Sequence, residues 1–228
     1  MPYASCGQML EEIAADARAC GRSTGRPWLR EKVMEAMATV PRESFVLEND
    51  RDVAHVNAPL PIGHGQTISQ PFIVALMTDL CECEPGDTVL EIGTGSGYQA
   101  AVLSRLVRHV YSVEVVPELA SKARTALMRL GFGNVSVREG DGREGWPEHG
   151  PYDAILVTAA AEELPPVELA NAMRWLLRQH QAIAAEDLAR ETARAFGITR
   201  LGAVVKDVMG AAMERLVGSG QAVRDGEL

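Results

Sequence analysis

The chain has 228 residues, 46% of them hydrophobic and 23% charged, with a formal net charge of −9. That is enough for one sizeable core with a small appendage. An acidic surface repels phosphate backbones, no Lys/Arg run offsets it, and no apolar stretch approaches the ~20 residues that cross a bilayer, so neither nucleic-acid nor membrane partners are expected.

The N-terminus lacks a basic segment followed by an apolar one, so a cytoplasmic location is the default expectation. Residues 9–19 carry helical apolar spacing, with Gly21 as the expected stop. A second helix is expected over 28–38, with Leu29, Val33 and Met37 on one stripe. Residues 57–71 are rich in Pro, Gly and hydroxyls and read as a structured loop of the kind that carries function. A helix leaves this loop over 72–80. Cys81-Glu82-Cys83 is too tight for a zinc knuckle and has no paired His nearby. With Cys6 and Cys20, these read as reduced structural thiols.

From Asp87 a new rhythm starts. Short apolar strands are expected at 88–92, 109–115, 135–137 and 153–158, with helices at 98–107 and 117–130. This alternation implies a parallel, doubly wound α/β sheet. After Pro166 it stops, and helices are expected at 167–179, 185–196 and 203–217.

The first strand of this series ends in Glu91-Ile92-Gly93-Thr94-Gly95-Ser96-Gly97. A glycine loop between strand and helix offers bare backbone N–H groups to a ligand at the carboxyl edge of the sheet. The dinucleotide fingerprint wants glycine at the sixth place, where this loop has Tyr98. Glu91 suits the cationic aminoacid end of S-adenosylmethionine and would be poorly placed beside a pyrophosphate. Glu114, ending the second strand, can accept from both ribose hydroxyls. Asp141, in Gly140-Asp141-Gly142, can accept from the adenine amino group, though it also reads as a plain turn residue. The expected cofactor set is Glu91, Gly93, Thr94, Gly95, Gly97, Glu114, Asp141 and Gly142.

Several stretches resemble the protein-L-isoaspartate (D-aspartate) O-methyltransferases. They are Val40-Pro41-Arg42-Glu43-Ser44-Phe45-Val46, Gly63-His64-Gly65-Gln66-Thr67-Ile68-Ser69-Gln70-Pro71, Glu91 to Gly97 with Tyr98-Gln99-Ala100, Gly140-Asp141-Gly142-Arg143, and Tyr152-Asp153-Ala154-Ile155 with Ala159-Ala160-Ala161. The glycine loop is common to many methyltransferases, whereas Gln-Thr-Ile-Ser-Gln-Pro is much more specific to this family. The resemblance runs over about 33–172. It implies a class I, Rossmann-like methyltransferase fold and a substrate, an isoaspartyl-containing protein or peptide, esterified on its α-carboxylate. It also implies that Thr67 and Ser69 donate hydrogen bonds to that carboxylate, with Ile68 shaping the pocket wall. Ser69 has a second reading as the N-cap of the helix after Pro71. His64 reads as a loop residue, since a carboxylate needs no general base.

The resemblance ends near Ala172, and the last three strands of the family's seven-stranded sheet are not visible. A shortened sheet leaves 154–157 as an apolar edge, which invites pairing. Either the C-terminal helices or a second subunit is expected to cover it, with a homodimer preferred. The expected domains are 1–180, methyltransferase-like (helices 1–56, substrate loop 57–71, core 72–180), and a helical tail, 181–228. The tail looks winged-helix-like, but six Lys/Arg against seven Asp/Glu in it favour packing or partner binding over DNA. Two other functions stay open: a catalytically weak methyltransferase-like module with a partner-binding tail, and a peptide-tailoring methyltransferase that esterifies Asp in a dedicated peptide.

Overall fold

In a computed structural model, the described residues are 4–158, 170, 172–174, 176–177, 183–195 and 203–222. The chain divides into two compact units, Met1–Ala159 and Ala160–Leu228. The expected domain boundary at 180/181 lies outside the described residues.

The first unit opens with α1 (Cys6–Thr24), started by a capping box in which Ser5 and Gln8 each bond the other's backbone N–H. Met9, Ile13 and Ala17 form its buried stripe. Gly21 does not stop this helix, contrary to expectation; Gly25, at φ 69°, does. A Cβ on Gly21 would lie 2.6 Å from Cβ of Pro27, so the glycine makes room for the returning chain. α2 (Glu31–Thr39) follows, later than the expected start at 28. Arg30 fastens its entry by donating backbone N–H and Nε to Asp79 Oδ1 at 2.9 and 3.0 Å.

Residues 57–71 hold more order than a loop. β1 (Leu60–Gly63) and β2 (Gln66–Ile68) form an antiparallel hairpin. Its two-residue turn, His64-Gly65, has φ of 54° and 71°, the doubly positive pattern of a type I′ turn. α3 (Pro71–Leu80) leaves the hairpin with proline in its first turn.

The core sheet contains β3 (Thr88–Ile92), β4 (His109–Glu114), β5 (Val135–Glu139) and β6 (Ala154–Val157). All pairings are parallel and the order is β5-β4-β3-β6. α4 (Tyr98–Ser104) joins β3 to β4, and α5 (Pro117–Arg129) joins β4 to β5. The chain moves outward from β3 through β4 to β5, then returns to place β6 on the other side of β3. That reversal makes the carboxyl ends of β3 and β6 a topological switch point, where open α/β sheets take their ligands.

The two sheet faces are covered differently. Val89 and Val110 join the main core with the N-terminal helices, α4 and α5. On the opposite face, residues 140–152 form a strap without an α-helix. Tyr111 stacks on His149 with centroids 4.1 Å apart and meets Trp146 and Tyr152 edge-on. Among the described residues β6 is an edge, and Ile155 and Val157 are 61% and 58% exposed.

In the second unit, α6 (Ala185–Ala195) and α7 (Ala203–Gly218) bring Leu188 and Ala189 together with Met209, Ala212 and Leu216. The helix expected at 167–179 and the segments on which the winged-helix likeness turns lie largely outside the described residues. No helix among the described residues is long and apolar enough to cross a membrane.

Candidate active site

Six of the eight expected cofactor residues, Glu91, Gly93, Thr94, Gly95, Gly97 and Glu114, come together around the glycine loop. Gly93, Gly95 and Gly97 have φ of 99°, 54° and 89°, a path open to few other residues. Gly93 N–H donates to Val113 O at 2.8 Å and Gly97 N–H to Thr94 O at 2.8 Å, which closes the loop tightly over the sheet. Gly95 N–H donates to Glu114 Oε2 at 2.7 Å, while Glu114 Oε1 accepts from Val116 N–H at 3.0 Å. Each carboxylate oxygen keeps a second acceptor site.

Glu91 is fully buried in β3. The parallel register sets it opposite Ser112, whose hydroxyl donates to Glu91 Oε2. Ser112 also bonds the buried hydroxyl of Thr94, so acid, hydroxyl and loop form one relay. Glu91 Oε1 has no hydrogen-bond partner. Burial pushes the carboxyl up to about 8, against the Ser112 hydrogen bond, and the Glu114 charge adds to the rise. A buried carboxyl with an unbonded oxygen, beside bare backbone, fits a ligand that carries an ammonium group.

Asp141 and Gly142 follow β5. Asp141 is exposed, and its Oδ1 accepts from Arg143 N–H at 2.9 Å, so the turn role is in place. Gly142 has a packing reason to be glycine: a Cβ there would lie 2.3 Å from Ile92 Cγ2.

Thr67 and Ser69 stand on the hairpin limb, Thr67 exposed and Ser69 half-buried. Neither hydroxyl bonds the glycine loop. The hairpin itself reaches it: a Cβ built on Gly95 would meet Ile62 Cδ1 at 3.4 Å, the far tip of a β1 side chain. Ser69 does not cap α3, contrary to that reading. The N-cap position is Gln70, without a side-chain bond. Instead Asn57 Oδ1 accepts from Phe72 N–H at 3.0 Å. His64 sits exposed at the hairpin turn, as a loop residue should.

A sequence profile described as protein-L-isoaspartate(D-aspartate) O-methyltransferase matches residues 23–173, about two thirds of the chain. The chain belongs to this family. A protein-L-isoaspartate O-methyltransferase 2 from a Polaromonas species is 59% identical over 158 residues, 69% of this chain and 75% of that protein. A solved protein-L-isoaspartate O-methyltransferase superposes with a TM-score of 0.58 and 32% identity, over 68% of this chain and 50% of that one. A Plasmodium falciparum β-aspartate methyltransferase in complex with S-adenosyl-L-homocysteine shares the fold, at 23% identity and a TM-score of 0.51, over 70% and 77% of the two chains. The resemblance, the Rossmann-like fold class and the S-adenosylmethionine-dependent enzyme class expected from the sequence are thereby borne out.

Three residues that brace the candidate site of this isoaspartyl methyltransferase relative carry little local sequence signal. Ser112 was visible only as a polar residue sharing a strand face with Glu114. Thr158, just after β6, donates its hydroxyl to Ile92 O and Gly93 O at 3.0 and 2.6 Å and pins the loop from the side of β6. Asn57 binds the start of α3 from fifteen residues upstream.

Proposed function

We propose that the chain transfers a methyl group from S-adenosylmethionine to the α-carboxylate of L-isoaspartyl residues in damaged proteins or peptides. The observation that supports this reading is the approach of Ile62, on the β1 limb of the hairpin, to Gly95 of the glycine loop. When bound, S-adenosylmethionine supplies a methyl group already activated on a sulfonium. The substrate carboxylate, with a pKa near 4, is already ionised at neutral pH. The protein therefore needs no base, and its work is alignment and removal of water. Thr67 and Ser69 would hold the carboxylate, and Glu91 would face the cofactor's ammonium, Glu114 its ribose hydroxyls and Asp141 its adenine amino group. The glycine loop, Gly93 to Gly97 with Thr94, would offer bare backbone for close approach, while Gly142 lets the turn after β5 pack on Ile92.

The deciding assay follows labelled methyl from S-adenosylmethionine onto an isoaspartyl peptide and its aspartyl control. Transfer to the isoaspartyl peptide alone is the expected result. Cofactor binding with transfer to neither peptide would sink the proposal.

Glu91 gives a pH signature. Its carboxyl, raised to about 8, is mainly protonated at pH 7, and a bound ammonium favours the ionised form. Binding of S-adenosylhomocysteine should then release close to one proton at pH 7, with the release shrinking as pH rises past 8. Calorimetry in buffers of different ionisation enthalpy reads this directly, and Glu91→Gln should abolish it. No release from the wild-type chain at pH 7 would place the ammonium elsewhere.

The exposed Ile155 and Val157 on edge strand β6 support a homodimer formed through that edge. Light scattering should return twice the chain mass. A monomer with fast amide exchange along β6 would count against it. Four unpaired cysteines support a cytoplasmic setting.

A further inference from the structure

Arg42 is wholly buried, and among the described residues it forms no ion pair. Burial lowers its pKa to about 10, so it remains a cation at neutral pH. A buried charge without a carboxylate partner is expensive and must be held by oriented dipoles. Arg42 has them. Its Nε donates to Ala54 O at 2.8 Å, and its Nη2 donates to Ser69 O at 2.9 Å and reaches Ala58 O at 3.4 Å. Its Cζ lies 4.8 Å from the centroid of the buried Tyr98 ring, whose negative face attracts a cation. Nη1 is left without a hydrogen-bond partner.

The positions of these partners matter more than their number. Ala58 and Ser69 are the two feet of the hairpin, lying just before β1 and just after β2. One guanidinium nitrogen grips both. Tyr98 is the first residue of α4, directly after Gly97 of the glycine loop. Arg42 thus spans from the limb that presents Thr67 and Ser69 to the helix that the cofactor loop enters. Lysine, a single point donor, lacks the fork that grips Ala54 on one arm and the hairpin feet on the other.

We propose that Arg42 is a positioning residue for methyl transfer: by clamping the hairpin feet against Tyr98, it fixes where the Thr67–Ser69 donors stand relative to the glycine loop. This rests on the isoaspartyl methyltransferase reading given above. Arg42 touches neither substrate nor cofactor, so its effect falls on turnover rather than on cofactor affinity.

The test compares Arg42→Met and Arg42→Lys with the wild-type full chain. The readouts are circular dichroism, S-adenosylhomocysteine affinity, kcat and KM for an isoaspartyl peptide, and amide exchange resolved along the chain. A small misplacement of reacting groups can cost about 100-fold in rate, so kcat should fall about 30-fold in Arg42→Met and about 5-fold in Arg42→Lys. S-adenosylhomocysteine affinity should stay within about threefold, and hairpin amides should exchange about tenfold faster while those of β3 and β4 do not. Unchanged kcat in a folded variant overturns the proposal, as does a parallel loss of cofactor affinity. If Arg42→Met does not fold, Arg42→Lys carries the same comparison. If the wild-type chain methylates no isoaspartyl peptide, the functional reading falls separately, and unaltered hairpin exchange in Arg42→Lys would still overturn the clamp.

Discussion

Glu114→Gln is expected to weaken S-adenosylhomocysteine binding about 100-fold, or about 2.7 kcal/mol. The substitution is nearly isosteric, so packing is not the cause. Both oxygens of Glu114 accept from backbone N–H groups, one from Gly95 and one from Val116. A glutamine can accept at only one end. Its amide nitrogen must then face an N–H donor, which either releases the glycine loop at Gly95 or loosens the turn into α5. The carboxylate proposed to accept from the ribose is lost at the same time, and hydrogen bonds to charged groups contribute about 1.5–3 kcal/mol each. Calorimetric titration checks the affinity. A value within threefold of wild type would show that Glu114 faces no ligand and that its backbone bonds do not set the loop.

Gly97→Val should destabilise the chain by about 4 kcal/mol, a large share of the ~5–15 kcal/mol that holds a typical domain together. Two separate effects add. The φ of 89° is far from anything a β-branched residue adopts, at about 1–3 kcal/mol. A Cβ would also sit 3.2 Å from Leu127 Cδ1 and 3.4 Å from Ala123 Cβ on α5, an overpacking of about 1–3 kcal/mol. Gly131→Ala separates them, because Gly131 has φ 80° but open space where a Cβ would go. It should lose about 1 kcal/mol, from conformation alone. Urea unfolding gives both values; equal losses would mean that contact with α5 plays no part.

The core sheet was legible because each strand is a short apolar run between turn residues. Glu91 and Glu114 could be singled out because each ends or nearly ends such a run, and the sheet brings Glu91 to Ser112 and Glu114 to Gly95. What stayed hidden was set at long range. Gly21 has the look of a helix stop, and only the return of Pro27 explains why the helix passes through it. Ser69 has cap chemistry at cap spacing, but a distant asparagine does that work. The hairpin was concealed by Pro61 and by the positive φ of His64, which is uncommon for any residue but glycine. Ser112 needed the register of β4 against β3 before its hydroxyl meant anything.

The order of the strands also sets a timetable. Val89 pairs with Ala154, about three times as far along the chain as Thr88 is from its partner His109. Neighbours in sequence close small loops early, and remote ones close late. On a ribosome, β3, β4 and β5 can assemble while β6 is still unmade. The residues proposed to face the cofactor lie on or just after β3, β4 and β5, so a nascent chain can hold them together before β6 is made. Among the described residues β6 comes last in the sheet, and it brings Thr158, whose hydroxyl fastens Ile92 and Gly93, so the glycine loop receives its final restraint from the strand made after it.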